Sequence, residues 1–382
     1  MRILLIIPTI ASFHIFLKEL AQQMIEKGID VHCACSSNAL WTNNVEKVSG
    51  LKVHHIPLPR GKNLLDHYKC SYQINALVSM LKPDIVHAHF SSAIFSTALA
   101  HKNFWPTTIG TFQGLSYSLA SGYGALLLKW SEVWAASRMN EVWVLTKDDF
   151  DILQSDAPKA KIHQQKSPGF GCHIGHFNPQ LVPFERCIEL KRKLGIANDE
   201  FIFTFVGRQV HFKGFDLLVR AFMHLIQSDT KVRLMLIGDP DPLHHSGLTI
   251  TETAIFQSTP QISNLGWQVN VRDYLAISDA VVFPSNREGV SVSLMESTAM
   301  GIPIITCDSR GCKDVVIDMM NGIILKERTV EDLIMAMQRM RSDNTLRNKL
   351  SAGALKMRSQ FDRQLYIQEQ IQIYTDLFQK EK

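Results

Sequence analysis

The sequence predicts an α/β protein of two Rossmann-like, doubly wound domains facing across a cleft, and three observations predict it. Short apolar runs alternate with longer amphipathic stretches, a Gly- and Pro-rich segment interrupts that rhythm near the middle, and the rhythm then starts again. The length of 382 residues also exceeds what one hydrophobic core usually serves.

RILLII at the N-terminus reads as a first buried strand, and FHIFLKELAQQMIEKG as the helix after it. VHCAC is the next strand, a helix lies around Tyr68 to Leu81, and DIVHAH and TTIGTF are two further strands. The segment SPGFGCHIGHFNPQLVPF, Ser167 to Phe184, is the expected linker. Beyond it, FIFTFVG is a strand and a helix runs from about Asp216 to Ser228. RLMLIG, QISNLG and AVVFPS follow as strands, then a helix through Leu294 to Met300, then the strand PIITC. The last segment, about Leu346 to Gln379, carries Ile367, Ile371, Tyr374 and Phe378 at i, i+4, i+7 and i+11, the spacing of an amphipathic helix able to cap either domain. The expected division is 1–166 for the N-terminal domain, 167–184 for the linker, 185–356 for the C-terminal domain, and 357–382 for a last helix with the option of packing back on the N-terminal domain.

Hydrophobic residues make up 46% and charged residues 20%, without a low-complexity tract, so disordered and fibrous classes are excluded. The seven cysteines lack the paired spacing of tetrahedral zinc sites and read as free thiols in a reducing compartment. MRILLIIPTI is too short and lacks a small-residue cleavage site, so it reads as a strand and not as a signal peptide. No stretch reaches the roughly 18–20 apolar residues that span a bilayer. The expected location is therefore cytoplasmic, with a peripheral place at the inner face of the plasma membrane left open. Residues 1–180 hold 16 Lys+Arg against 12 Asp+Glu, a weak basic bias that suits an anionic surface or substrate and equally suits ordinary scatter. No basic run with interleaved aromatics points to nucleic acid.

The stretch from Pro284 to Gly311, PSNREGVSVSLMESTAMGIPIITCDSRG, follows an apolar strand, turns at Gly289 and enters a helix. The residues Val290 to Ser293 would offer free backbone N–H groups there, and such a helix start binds phosphate through amides and dipole. Glu288 and Glu296 are eight residues apart. On one helix they would be about 12 Å apart in height, so they bracket an elongated ligand only if Glu288 sits on the loop and Glu296 on the helix. Each carboxylate alone also fits a plain surface role. A second motif, FVGRQVHFKGFDLL, places Arg208 and Lys213 around a short loop after a strand ending at Gly207. Two cations at a strand's carboxyl end can hold both phosphates of a nucleoside diphosphate and stabilise the charge of its departure.

These pieces resemble the retaining GT-B glycosyltransferases of the family-4 type: G-R-x4-K-G at Gly207 to Gly214, E-x7-E from Glu288 to Glu296, and A-M-G-I-P-I-I-T after it. Cys307 to Gly322 resembles the family's next loop, with Asp314 where a Glu is usual. The resemblance implies that Arg208 and Lys213 bind the donor diphosphate. It implies that Glu288 contacts the transferred sugar and Glu296 the ribose hydroxyls, with Gly207 at the strand end and the amides around Gly289, Val290 and Ser291 on sugar and phosphate. It further implies transfer with retention by front-face attack, the leaving phosphate taking the acceptor proton, so that no protein nucleophile is needed.

On the N-terminal side, Thr111-Phe112-Gln113-Gly114 resembles the family's T-x-H-G segment, with Gln113 in the histidine's place, and His87 and His89 resemble its H-x-H. His89, Gln113 and Gly114 are the implied acceptor-side positions. His173 stands where the linker pattern of the family has Asp, and the loop Pro8 to Phe13 lacks the usual glycines. A metal at the His87 and His89 pair would need carboxylate or thiol partners that the sequence does not supply nearby, and Asp239-Pro-Asp241 reads as a loop after RLMLIG; no metal or other cofactor is expected. Gly122 to Met139 sets Leu126, Leu127, Trp130, Val133, Trp134 and Ser137 at helical spacing. Burial of this stripe against the N-terminal sheet is the plainer expectation, and contact with a membrane surface and a polyprenyl-linked acceptor the other.

The expected function is transfer of a hexose or N-acetylhexosamine from a UDP-sugar to a glycan on undecaprenyl diphosphate, in capsule or O-antigen assembly. A non-hydrolysing UDP-sugar 2-epimerase and a non-catalytic nucleotide-sugar-binding protein are the alternatives with the same fold.

Overall fold

A computed structural model of the chain describes residues 1–37, 47–59, 61, 63–119, 122–242 and 244–380. The chain divides into two compact units, one of residues 1–170 with 364–382 and one of residues 171–363.

The first unit is built on seven parallel strands: β1 (Arg2–Thr9), β2 (Asp30–Ser36), β3 (Lys52–His55), β4 (Ile85–His89), β5 (Thr107–Phe112), β6 (Glu141–Val144) and β7 (Ile162–Gln164). Their order is β3-β2-β1-β4-β5-β6-β7, so the sheet reverses direction of growth between β1 and β4. The central strands are covered on both faces, which is why β1, β2 and β4 are nearly unbroken buried runs. Short polar side chains start the helices. Thr9 Oγ1 accepts the Ser12 N–H at 3.1 Å at the head of Ile10–Phe16, and Asn63 Oδ1 accepts the Leu65 N–H at 3.1 Å at the head of Leu64–Leu81.

The second unit repeats the plan with β8 (Phe201–Val206), β9 (Val232–Ile237), β10 (Ile262–Asn264), β11 (Ala280–Phe283), β12 (Ile304–Cys307) and β13 (Gly322–Leu325), all parallel, in the order β10-β9-β8-β11-β12-β13. Its reversal falls between β8 and β11. Ligands of such sheets bind outside the carboxyl ends of the strands at that point, because the connecting loops diverge there and leave a crevice.

Four features differ from the expectations. Strands β3, β6, β7 and β13 are three or four residues long, too short for the period of two to register. The segment 167–184 is divided: residues to Phe170 belong to the first unit, and Gly171 onward to the second. The final segment is two helices, Asn344–Met357 and Arg363–Lys380, separated by a 3₁₀ turn over Arg358–Phe361. Tertiary contacts break it there: the Arg358 guanidinium donates to the carbonyls of Ile174 and Phe177 at 2.6 and 3.2 Å, and the Cys172 N–H donates to the Phe361 carbonyl at 2.7 Å. The fourth is the helix Gly122–Ala136. Its buried residues are Glu132, Ala135 and Ala136, and Tyr123, Leu126, Leu127 and Trp130 are exposed, Tyr123 at 92% and Leu126 at 65%. Leu128, Val133 and Trp134 pack partly buried against the core of the unit, so only the N-terminal part of the stripe is turned outward.

The C-terminal helix Arg363–Lys380 packs within the first unit. Tyr374 is fully buried, with its hydroxyl 2.7 Å from His87 Nδ1, and His87 Nε2 is 2.7 Å from Thr111 Oγ1. Burial holds the His87 imidazole well below its usual range, so it is neutral and has one donor and one acceptor to satisfy. Tyr374→Phe is expected to lower stability by about 1–2 kcal/mol, since it strands a buried ring nitrogen. Chemical denaturation with an unchanged midpoint would refute that role for the hydroxyl.

Candidate functional site

The G-R-x4-K-G segment leaves β8 at Gly207 and returns through a 3₁₀ turn, His211–Lys213, that ends at Gly214. Gly214 has φ +75°, and a Cβ there would lie 2.3 Å from the Pro284 carbonyl oxygen. Only glycine allows both the left-handed backbone and this approach. The loops after β8 and β11 are thereby laid side by side, with the Asn286 N–H on the Phe212 carbonyl at 2.9 Å. Across that seam Lys213 Nζ pairs with Glu288 Oε1 at 2.7 Å, both side chains being largely buried, and the Ser285 hydroxyl donates to the same oxygen at 3.0 Å.

Glu288 is on the loop and Glu296 within the helix Val292–Ala299, the arrangement needed for the two carboxylates to bracket one ligand. The loop is held from the other side by residues after β12. The Glu288 N–H donates to the Arg310 carbonyl at 3.0 Å, and Gly311, at φ +77°, comes so close that a Cβ would sit 2.6 Å from Glu288 Cβ. Asp314, standing where the family pattern has Glu, accepts the Gly311 N–H at 2.8 Å and so anchors this support.

Of the amides expected to be free, that of Ser291 is already taken. The Ser291 N–H is used by the Gly311 carbonyl at 3.1 Å, while the Met295 N–H closes the first helical bond to Ser291. Val292, Ser293 and Leu294 are the first-turn residues whose amides a helix leaves without an internal partner. Gly289 and the buried Val290 form the turn before them.

Glu296 differs from the other charged groups of the site. Among the described residues its carboxyl has no hydrogen-bond partner, and burial pushes it up to about 7 against the opposing charge of Arg363. The side chain is only partly shielded from solvent, and the protein packed around it is what raises the carboxyl. Arg208, half-exposed, pairs with Asp241 and lies over the Phe212 ring at 5.5 Å. Arg287, a cation the sequence reading passed over, is stacked on the same ring at 4.5 Å. Its signal was adjacency to Glu288 and nothing more.

In the first unit, His89 ends β4 and Gln113 and Gly114 follow β5, at the carboxyl edge near that sheet's reversal. His89 is fully buried and stacked on His87, with ring centroids 4.0 Å apart. Burial lowers its imidazole to about 3, so it is a neutral hydrogen-bonding group there and not a cation. Among the described residues, both of its ring nitrogens and the Gln113 amide nitrogen lack partners. Buried polar atoms without partners mark places where something else supplies them. The next residue, Phe90, holds φ +71°, a strained value for a non-glycine at the head of a helix. Gln113 and Gly114 also line a cavity of about 440 Å³ whose apolar wall includes Leu64, Phe95, Leu127 and Trp130. Glu132, also at this cavity, was missed as a lone charge within an apolar stripe. It accepts the N–H groups of Ser116 and Tyr117 at 3.0–3.3 Å and shapes the loop after Gly114.

Asp239 and Asp241 face protein donors, Asp239 the Trp267 N–H at 2.9 Å and Asp241 the Arg208 guanidinium. Among the described residues, no group of three or more His, Cys, Asp or Glu side chains is placed to hold a metal ion, and no helix is long and apolar enough to cross a membrane.

Residues 188–357 match the family model of glycosyl transferases group 1, and residues 2–144 that of glycosyl transferase 4-like proteins. The chain is 23% identical to the UDP-Gal:alpha-D-GlcNAc-diphosphoundecaprenol alpha-1,3-galactosyltransferase of Escherichia coli, over 85% of each chain. It is also 23% identical to the capsular polysaccharide biosynthesis glycosyltransferase CapM of Staphylococcus aureus, over 93% of this chain and 92% of the relative. Among solved structures, Anabaena Alr3699/HepE in complex with UDP superposes with a TM-score of 0.80 at 16% identity, covering 98% of this chain and 100% of that one.

The raised carboxyl of Glu296 has a consequence for stability. Below about pH 4.5 the group is protonated in both folded and unfolded chains and contributes nothing. As pH rises toward 7 the unfolded chain releases the proton first, so stability falls, and the full penalty is reached above about 7. Glu296→Gln is therefore expected to gain about 1–2 kcal/mol over the parent at pH 8 and little at pH 4.5, allowing for the solvent that reaches the side chain. Denaturation at the two pH values measures it; an equal difference at both would remove the assigned shift.

Proposed function

With one glycosyltransferase model on each half, the chain belongs to the GT-B glycosyltransferases of the family-4 type, and on that premise we propose the reaction it performs. It transfers a hexose or N-acetylhexosamine from a UDP-sugar, with retention of the anomeric configuration, to a glycan carried on undecaprenyl diphosphate in capsule or O-antigen assembly. The observation that carries this reading is the convergence at the β8/β11 reversal of Arg208, Lys213 and Glu288, of an unpartnered Glu296, and of the free amides of a helix start.

Each group has a task that its surroundings suit. Arg208 and Lys213 take the diphosphate, with the amides of Val292, Ser293 and Leu294 adding partial positive charge. When Lys213 turns to phosphate, Glu288 is released toward the hydroxyls of the transferred sugar. Glu296, without a donor among the described residues, accepts the ribose hydroxyls. The acceptor hydroxyl attacks from the face the diphosphate leaves, and the departing phosphate oxygen takes its proton. The new C1–O bond forms as the old one breaks, and no protein nucleophile is required. The uracil base is favoured by the Anabaena structure, which holds UDP, and by the Escherichia coli relative, whose name gives a UDP-Gal donor and an undecaprenol-linked acceptor.

On the first unit, His89, Gln113 and Gly114 are the acceptor-side groups. The outward row Tyr123, Leu126, Leu127 and Trp130 is suited to the interfacial layer of a membrane, where aromatic and aliphatic side chains lose little by leaving water. In this reading the enzyme works as a peripheral protein at the inner membrane face.

Calorimetry with UDP-, GDP- and ADP-sugars tests the donor assignment. One UDP-sugar is expected to bind, about tenfold or more weaker in Glu296→Ala and in Lys213→Ala; a folded protein that binds none of the three would overturn it. The membrane assignment predicts that Leu126→Asp with Trp130→Asp reduces co-sedimentation with phosphatidylglycerol-containing vesicles severalfold. Equal sedimentation of parent and variant would remove this helix from the membrane contact.

A further inference from the structure

The loop after β9 begins Asp239-Pro-Asp241, and its two carboxylates do different work. Asp239 Oδ1 accepts the Trp267 N–H at 2.9 Å, tying down the segment after β10. Asp241 binds one terminal nitrogen of Arg208. The carboxylate is the shielded member of that pair, 12% exposed, and the guanidinium the open one at 49%.

The backbone brings the two together. The Gln209 N–H donates to the Asp239 carbonyl and the His211 N–H to the His245 carbonyl, both at 3.0 Å, so the two loops are stitched just beyond Arg208. Phe212 completes the seat, with Arg208 over its ring at 5.5 Å and His244 packed on it edge-on at 5.3 Å. Among the described residues, Asp241 is the one hydrogen-bond partner of the Arg208 guanidinium. A guanidinium has five N–H donors in a rigid fork, so most of them remain for an anion.

We propose that Asp241 is a positioning residue: it fixes Arg208 by one nitrogen, against Phe212, so that the remaining donors meet the donor diphosphate already ordered. This rests on the reading of Arg208 as a diphosphate ligand. A free arginine loses rotamer freedom when it clamps an anion, and a carboxylate that holds it beforehand removes that loss from the binding step. The shielding of Asp241 fits a fixed support better than a competitor that must be expelled.

The test is calorimetric binding of UDP and of uridine to the wild type, Asp241→Ala, Asp241→Asn, Arg208→Ala and the Asp241→Ala/Arg208→Ala double variant, with and without Mg²⁺. Asp241→Ala is expected to weaken UDP binding about three- to tenfold. Asp241→Asn, which keeps an acceptor oxygen in place, is expected to recover most of it. The double variant should bind no more weakly than Arg208→Ala alone, and uridine affinity should not change. Tighter UDP binding by Asp241→Ala would make the carboxylate a competitor, and a loss seen only with Mg²⁺ would make it a metal ligand; either overturns the proposal. So would a loss that the Asn variant does not rescue and that uridine shares, the sign of a misfolded loop. UDP binding indifferent to Arg208→Ala would refute the diphosphate assignment itself, and this proposal with it.

Discussion

The second unit depends on one close approach, that of Gly214 to the end of β11. Any side chain at that position would meet the Pro284 carbonyl, and the loop after β8 would have to lift away. Lys213 would then lose Glu288, Phe212 would lose the Asn286 amide, and both arginines stacked on Phe212 would lose their seat. Because the sheet reverses between β8 and β11, these two loops leave neighbouring strands and can be brought together there. The reversal supplies the crevice, and the glycine lets its walls close to hydrogen-bonding distance.

The charges of this site are held largely as pairs. Lys213 is held by Glu288 and Arg208 by Asp241, so two cations are kept near the surface of a largely apolar unit without the cost of isolation. Glu296 is left out of the pairing, and its carboxyl rises to about 7 as a result. A diol that donates to it would restore what burial removed. In the first unit the ring nitrogens of His89 and the amide nitrogen of Gln113, without partners among the described residues, lie at the ends of β4 and β5, with a cavity beside Gln113.

Much of this was legible in the chain before any coordinates. The long central strands β1, β8 and β9 stood out because strands covered on both faces are continuous apolar runs, and Glu288 and Glu296 because no single helix could make them cooperate. Edge strands such as β7 were not legible, being three residues with only part of one face buried. The break at Arg358–Phe361 left no trace either, since no glycine or proline marks it and the force comes from Ile174, Phe177 and Cys172, far away in sequence. The expected burial of the stripe Leu126 to Ser137 held only for Val133 and Trp134, which pack on the core, while Leu126, Leu127 and Trp130 stay exposed, because helical spacing names a face without saying how far the core extends along it.

Local order decided the rest of what was readable: alternating elements, the glycines of the tight turns and the charged residues at strand ends are all properties of neighbours in the chain. Partnership is not. That Asp241 serves Arg208, that the Ser291 amide is already spent on Gly311, and that Glu296 has no donor among the described residues follow from contacts between residues tens of positions apart. By itself the sequence determined the class of fold and the list of chemical groups. Only the tertiary structure decided which of those groups are occupied and which are free, because hydrogen bonds and burial depend on distance in space and not along the chain.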